Sequence, residues 1–255
     1  MGLRVKQVRL KSVDGVELAG KFFIPGAGRH PTVCLCHGIP VGKPQPDDKG
    51  YEGLAEEFCN AGFSTLTFNF RGTGGSGGYF RLKDWPKDLN AALNFLAERS
   101  EVDMERLAVV GFSGGGVVAV YVAAFDQRVK AVAACATPAD ASTIPLDALR
   151  ETVKKAKESG SLRGVEKPGS AEELYRDFQV LNPLTYVDRI SPRPILIVHG
   201  DQDELVNVEE AWKLYFKAKE PKRIVIVKGG QHKLRLNREA VASIIGWLKE
   251  VFRPS

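Results

Sequence analysis

The sequence predicts an α/β domain built on a mostly parallel, eight-stranded, doubly wound sheet with a small helical cap inserted into it. Three observations predict it. Two β-like runs open the chain and alternating β and α patterns follow, as in a parallel sheet covered by helices on both faces. Several of the later β-like runs are short and apolar on both faces, which suits strands buried inside a sheet. Residues 138–189 break the alternation with charged, helix-like segments around a Gly–Ser-rich centre.

The elements follow in order. Residues 5–10 and 16–23 read as strands joined by a turn at Asp14-Gly15. Residues 31–36 form an apolar run ending in His37-Gly38, with Cys34 and Cys36 on one face and Leu35 on the other. Residues 51–61 read as a helix, with Leu54, Ala55 and Phe58 on one side and Gly62 as its stop. Residues 64–70 are the next strand, ended by the Gly-rich segment 71–78. Residues 88–98 carry a helical apolar stripe of Leu89, Ala92, Leu93 and Leu96. Residues 107–110 are a strand, the Gly-rich start of a helix comes straight after, and 129–135 are a further strand. Within 138–189, segments 146–157 and 171–178 look helical, which leaves 1–137 and 190–255 as the core. Strands at 194–198 and 223–227 and helices at 209–218 and 238–252 complete the pattern.

The 255 residues suit one large domain with an insertion. Hydrophobic residues make up 44% and charged residues 26%, ordinary globular values. The net charge of +5 is interleaved with acids, and the densest basic stretch, 150–167, still contains Glu151, Glu158 and Glu166. That pattern reads as a solvated surface and not as a nucleic-acid stripe. Cys34, Cys36, Cys59 and Cys135 lack the two-residue spacer of common zinc and redox motifs and read as reduced core residues. No apolar run approaches the ~18 residues of a membrane span. Residues 1–15 show no apolar signal region, and Lys6 stands where a myristoylation motif needs Ser or Thr. A cytoplasmic location is the resulting expectation. A homodimer is compatible with the sequence.

Ligand sites in such sheets lie at the carboxyl ends of the strands. One motif stands there with a direct chemical meaning. Gly111-Phe112-Ser113-Gly114-Gly115 is a GxSxG between a strand and a helix. A serine in that turn has an exposed hydroxyl and a strained backbone, and the flanking glycines avoid clashes in the bend. A serine hydroxyl needs a general base. Of four histidines, His30 precedes Pro31 in a loop expected to be exposed, and His37 and His199 end apolar strands. His232, in Gly229-Gly230-Gln231-His232, lies in a loop after the last strand, from which an imidazole can reach the serine. The base needs an orienting acid. Gly200-Asp201-Gln202-Asp203-Glu204 offers three carboxylates, and the order serine, acid, histidine matches that of α/β-hydrolases.

The whole pattern resembles an α/β-hydrolase over nearly its full length. His37-Gly38-Ile39-Pro40 resembles the oxyanion segment after the third strand, and Arg71-Gly72-Thr73-Gly74-Gly75-Ser76 the RGxGxS turn after the fourth. Gly200 to Val206 resembles the GDxDxxVP acid loop, with Asn207 in place of the proline; the resemblance implies Asp203 as the acid rather than Asp201. His232 resembles the family's GxxH histidine. HGIP in place of HGGG argues against the hormone-sensitive-lipase branch, and the sequence looks nearer to small bacterial and archaeal esterases and prolyl-oligopeptidase-related hydrolases. The resemblance implies two-step acyl transfer on a small-molecule ester, with amide or peptide hydrolysis as the alternative. A binding protein on a hydrolase fold is the alternative of another class. Ser113 would be the nucleophile, His232 the base and Asp203 its partner. Backbone N–H groups of Gly114 and, by the same resemblance, Ile39 would hold the oxyanion.

No metal or other cofactor is expected, since HExxH and clustered Cys/His sites are absent. The GxGxxG at residues 72–77 follows a strand, but 80–86 separates it from the next helix, so a dinucleotide site is not expected. Ile144, Leu146, Leu149, Val153, Leu162, Leu174, Phe178, Val180 and Leu181 in the cap either line an acyl pocket or pack the cap onto the core.

Overall fold

The computed structural model describes residues 2–42, 48–140 and 143–253. β1 (Arg4–Lys11) and β2 (Glu17–Ile24) form the opening hairpin. Its turn closes with Ser12 N–H donating to Val16 O at 2.9 Å, and Gly15 takes a φ of 86°. The other strands are β3 (His30–Cys36), β4 (Ser64–Phe68), β5 (Val102–Phe112), β6 (Ala131–Cys135), β7 (Ile195–Gly200) and β8 (Lys222–Val227). They make one eight-stranded sheet in the order β1-β2-β4-β3-β5-β6-β7-β8. The pairings β1–β2 and β2–β4 at one edge are antiparallel, and the rest are parallel.

Helices cover both faces, and each face buries its own cluster. α1 (Gly50–Asn60) and α8 (Arg238–Val251) bury Leu54, Phe58, Val241, Ile244 and Trp247 on one side, against Leu35, Val110 and Val198. α2 (Trp85–Ala97), α3 (Gly114–Phe125) and α7 (Glu209–Lys217) bury Leu89, Leu93, Val117, Val120 and Leu214 on the other, against Cys34, Cys36 and Val109. Cys34 and Cys36 thus face away from Leu35, as their spacing predicts. All four cysteines are free and buried.

Between β6 and β7 lie α4 (Leu146–Ser159), α5 (Ser170–Val180) and α6 (Pro183–Tyr186). Leu149, Leu162, Leu174, Phe178 and Leu181 are buried in the α2–α3 cluster, with Ile144, Leu146 and Val153 against its rim. Val180 departs from the expected set: it is 54% exposed, at the last position of α5. The segment between α4 and α5 clips onto the Gly-rich turn after β4. Arg163 N–H donates to Gly72 O at 2.9 Å, Phe80 N–H donates to Arg163 O at 2.8 Å, and the Arg163 guanidinium reaches the Gly74 and Ser76 carbonyls. The Ser161 hydroxyl donates to Pro40 O at 2.8 Å, which joins this segment to the loop after β3.

Three elements differ from the sequence reading. β5 begins at Val102, well before residue 107, and its extra length pairs with the start of β3. His30, expected in an exposed loop, therefore opens β3 opposite Val102 and is half-buried. α2 begins at Trp85, three residues early. Pro86 sits in its first turn, where the missing N–H costs nothing, and Trp85 is fully buried, its ring stacked on Phe70 with centroids 4.3 Å apart. The four-residue α6 has no counterpart in the sequence reading, being too short to show a period.

The β4–α2 region is pinned by a buried charge cluster. Arg71 Nη2 lies 2.7 Å from Asp88 Oδ1, and Arg71 Nη1 lies 2.7 Å from Asp14 Oδ2. Ser12 Oγ accepts a further bond from Nη2, and Arg71 N–H donates to Asp88 Oδ2. One guanidinium therefore joins the β1–β2 turn, the turn after β4 and α2. Burial pushes the Asp88 carboxyl up despite Arg71, while Asp14, nearer to solvent, is held well below the carboxylate range by its hydrogen bonds from Arg71. Among the described residues, no helix is long and apolar enough to cross a membrane.

Candidate active site

Ser113 stands between the end of β5 and the start of α3, with φ 53° and ψ −122°. That backbone is strained for any side chain. It persists because its surroundings fix it: Ser113 N–H donates to Cys135 O at 2.8 Å, and Gly116 N–H donates to Ser113 O at 2.9 Å. The motif glycines are required by close approach. A Cβ on Gly111 would lie 2.4 Å from Gly115 O, and one on Gly115 would lie 2.4 Å from His37 O. The sequence reading missed Gly116, where a Cβ would meet Thr137 Oγ1 at 1.9 Å. The run of three glycines at 114–116 was its only visible signal.

The loop after β3 lies against this turn. A Cβ on Gly38 would come 3.1 Å from Ser113 Cβ, and one on Gly114 would lie 3.7 Å from Ile39 N. The Gly114 backbone thus lies against the Ile39 residue. As the first residue of α3, Gly114 has an N–H free of the helical ladder, and among the described residues the Ile39 N–H has no acceptor. Gly38 N–H is already used, donating to the Tyr51 hydroxyl at 3.2 Å. His37 is used up as well. Its Nδ1–H donates to Gly38 O at 2.7 Å and its Nε2 accepts from Phe70 N–H at 3.0 Å. Burial pushes its pKa down to about 4 despite the Gly38 bond. His37 is therefore a neutral strut for the loop.

Of the three carboxylates after β7, Asp203 is the one that reaches His232. Its Oδ2 and Oδ1 lie 2.8 and 3.0 Å from His232 Nδ1. Oδ1 also accepts from the N–H groups of Leu205 and Val206, both at 2.9 Å. Asp201 instead accepts from Gly229 N–H at 2.6 Å and braces the turn after β8, while Glu204 is exposed. Burial pushes the Asp203 carboxyl up, but hydrogen bonds from His199 and His232, the charge of His232 and the Val206 N–H outweigh it and hold it well below the carboxylate range. A depressed acid contributes its stability in full above the unfolded value of ~3.9 and loses it as pH falls through its folded value. Asp203 thus stays ionised from neutrality down to at least pH ~4. Lowering the pH from about 8 to 5 is expected to leave the Asp203 carboxylate ionised and in contact with His232, as a carboxylate-resolved NMR titration would read.

His232 presents Nδ1–H to the Asp203 carboxylate, which turns Nε2 away from Asp203 in the partly exposed site. Among the described residues, no hydrogen bond joins Nε2 to Ser113 Oγ; apo sites often leave that link open until substrate arrives. The histidine loop is also tied down by a contact that the sequence gives no sign of. Arg235, three residues on, pairs with Asp48, with Nη1 2.6 Å from Oδ1, and its guanidinium stands 5.4 Å from the Tyr51 ring. Tyr51 packs edge-on against Phe112, the neighbour of Ser113, with centroids 5.8 Å apart. Arg235→Ala is expected to lower kcat by about 10- to 100-fold through misplacement of the histidine loop. Unchanged steady-state kinetics in that variant would show the clamp to be irrelevant.

The sequence profile of the prolyl oligopeptidase family matches residues 53–255. The uncharacterised protein PA2218 of Pseudomonas aeruginosa is 29% identical over 282 residues, covering 89% of this chain and 74% of that protein. Its crystal structure superposes with a TM-score of 0.73 and 25% identity over 97% of this chain and 94% of that one. The uncharacterised protein YfhR of Escherichia coli K12 is 27% identical over 229 residues, covering 89% of this chain and 73% of that protein. The Pyrococcus furiosus esterase Pf2001 superposes with a TM-score of 0.71 and 24% identity over 97% of this chain and 93% of that one. The sheet order, the strained serine turn and the profile match agree: this chain has the α/β-hydrolase fold and belongs to the prolyl oligopeptidase family.

Proposed function

We propose that the protein is a serine carboxylic ester hydrolase for short- to medium-chain acyl esters. The observations that support this reading are the strained Ser113 turn against the loop that carries Ile39 and the Asp203–His232 pair held through Nδ1. In this mechanism His232 Nε2 takes the hydroxyl proton as Ser113 Oγ attacks the ester carbonyl. Asp203 keeps the imidazole in the required tautomer and stabilises its cation. The Ile39 and Gly114 amides receive the oxyanion, each worth about 3–4 kcal/mol by analogy with measured oxyanion donors. His232 then protonates the leaving alkoxide, and water, activated by the same histidine, cleaves the acyl-enzyme.

Residues 138–189 act as a cap in this reading. The Ser161–Pro40 bond supports it, since it ties the insertion to the loop that carries Ile39. The buried apolar residues of α4 and α5 favour packing over pocket lining for most of the cap, so chain-length selection falls to its rim residues Ile144, Leu146 and Val153.

A second reading, amide or peptide hydrolysis, is favoured by the family match. Hydrolysis of p-nitrophenyl butyrate beside an aminoacyl-p-nitroanilide separates the two. Ester turnover well above amide turnover supports the proposal, and the reverse ratio replaces it with the second reading. Folded protein that turns over neither substrate, and whose Ser113 is not labelled by a fluorophosphonate, would point to a binding role.

A further inference from the structure

His199 is a buried histidine that this mechanism leaves without a task. It lies in β7, immediately before Gly200, and its side chain is wholly inaccessible to solvent. Its Nε2 stands 2.9 Å from Val206 O and 3.3 Å from Asp203 Oδ2. Both neighbours are acceptors only, a carbonyl and an ionised carboxylate, so the ring must carry its hydrogen on Nε2. On the other side of the ring, Nδ1 is buried with no hydrogen-bond partner. A proton there would be an unsatisfied buried donor on a cation, the costlier arrangement. The neutral ring, protonated at Nε2 alone, fits this pocket.

We propose that His199 is a positioning residue for the acid–base pair: as a neutral Nε2–H donor forked between Val206 O and Asp203 Oδ2, it locks the Asp203 carboxylate in the plane that meets His232. The inference rests on the ester-hydrolase reading for its kinetic part only. Asp203 Oδ1 is already held by the Leu205 and Val206 amides. Oδ2 has no backbone donor, only His232 and His199. Without His199, the oxygen closest to His232 Nδ1 would be fixed by the very histidine that it must orient. Neutrality is part of the design. A cation at this position would compete with the His232 imidazolium for the charge of Asp203, whereas an uncharged donor orients the carboxylate and leaves its charge for His232. The ionisable groups that face His199 on this side are Asp203 and, behind it, His232; Asp201 is turned to Gly229.

The test combines two variants with a measurement on the intact protein. His199→Phe keeps the ring volume and removes the donor; His199→Gln restores an N–H near the Nε2 position. Expected for Phe is a fall in kcat of at least about tenfold with KM within about twofold, and for Gln a recovery of most of that loss. Unchanged kcat in the Phe variant, or equal losses in both variants, would overturn the proposal. Nitrogen-15 NMR of the wild-type histidine rings is read in parallel and needs no turnover. An uncharged His199 ring carrying its hydrogen on Nε2 is expected; a cation or an Nδ1–H tautomer would overturn the proposal even where the Phe variant fails to fold. Absent ester hydrolysis with the expected NMR signature would count against the ester reading and leave the His199 geometry standing.

Discussion

Ser113→Ala is expected to lower kcat for p-nitrophenyl butyrate by about 10⁴- to 10⁶-fold, with KM little changed. The proposed nucleophile is lost, while the backbone around it, including the Ile39 and Gly114 amides, is unchanged. The backbone gives a second reading of the same site. Ser113 holds a φ of 53°, which alanine tolerates no better than serine and glycine tolerates freely. Ser113→Gly should therefore be equally inactive but more stable than Ser113→Ala, by about 1–3 kcal/mol, the strain that such a residue stores. Kinetics and thermal melts of the two variants check both halves. Residual turnover above a hundredth of wild type in Ser113→Ala would remove Ser113 from the nucleophile's role.

The largest effect on stability is expected at Arg71. Arg71→Met leaves Asp88 buried with no counter-charge, and breaking a buried pair from one side typically costs about 3–5 kcal/mol. For a chain of this size that lowers the melting temperature by about 10 °C or more. The loss should depend on pH. Burial already raises the Asp88 carboxyl from its ordinary value, and without Arg71 it rises further. An acid whose folded value is raised above its unfolded one favours the folded state more as pH falls, because the folded state then takes up the proton first. The variant should therefore regain more stability than wild type on going from pH 8 towards pH 5, because its Asp88 is raised further. Adding Asp88→Leu should recover part of the loss. A penalty below about 1 kcal/mol at pH 8 would show that the cluster contributes little.

What the sequence made legible follows from the range of each interaction. The Ser113 turn was readable because strand, glycines, serine and helix are contiguous. The acid loop was readable as a group of carboxylates, but the residues alone did not choose among Asp201, Asp203 and Glu204; three-dimensional contact separates them, since only Asp203 meets His232. The start of α2 was placed late because Trp85 and Pro86 resemble loop residues until the buried stacking on Phe70 is seen. His30 looks like a loop residue in the sequence because the polar first half of β5, which pairs with it, does not look like a strand. The Arg235–Asp48 clamp spans 187 positions, and no local pattern announces it.

One pair of positions with no chemistry of its own bears on the proposed acid and base. Where the loops after β7 and β8 cross, Gly200 and Gly230 touch backbone to backbone, and a Cβ on Gly200 would lie 2.1 Å from Gly230 O. Every missense change at Gly200 adds a Cβ, and the two loops must then part. The mutational tolerance of the site is thus set partly at a residue that neither binds substrate nor moves a proton. A map of inactivating substitutions would mark this crossing as plainly as it marks the serine, and it would do so through spacing alone.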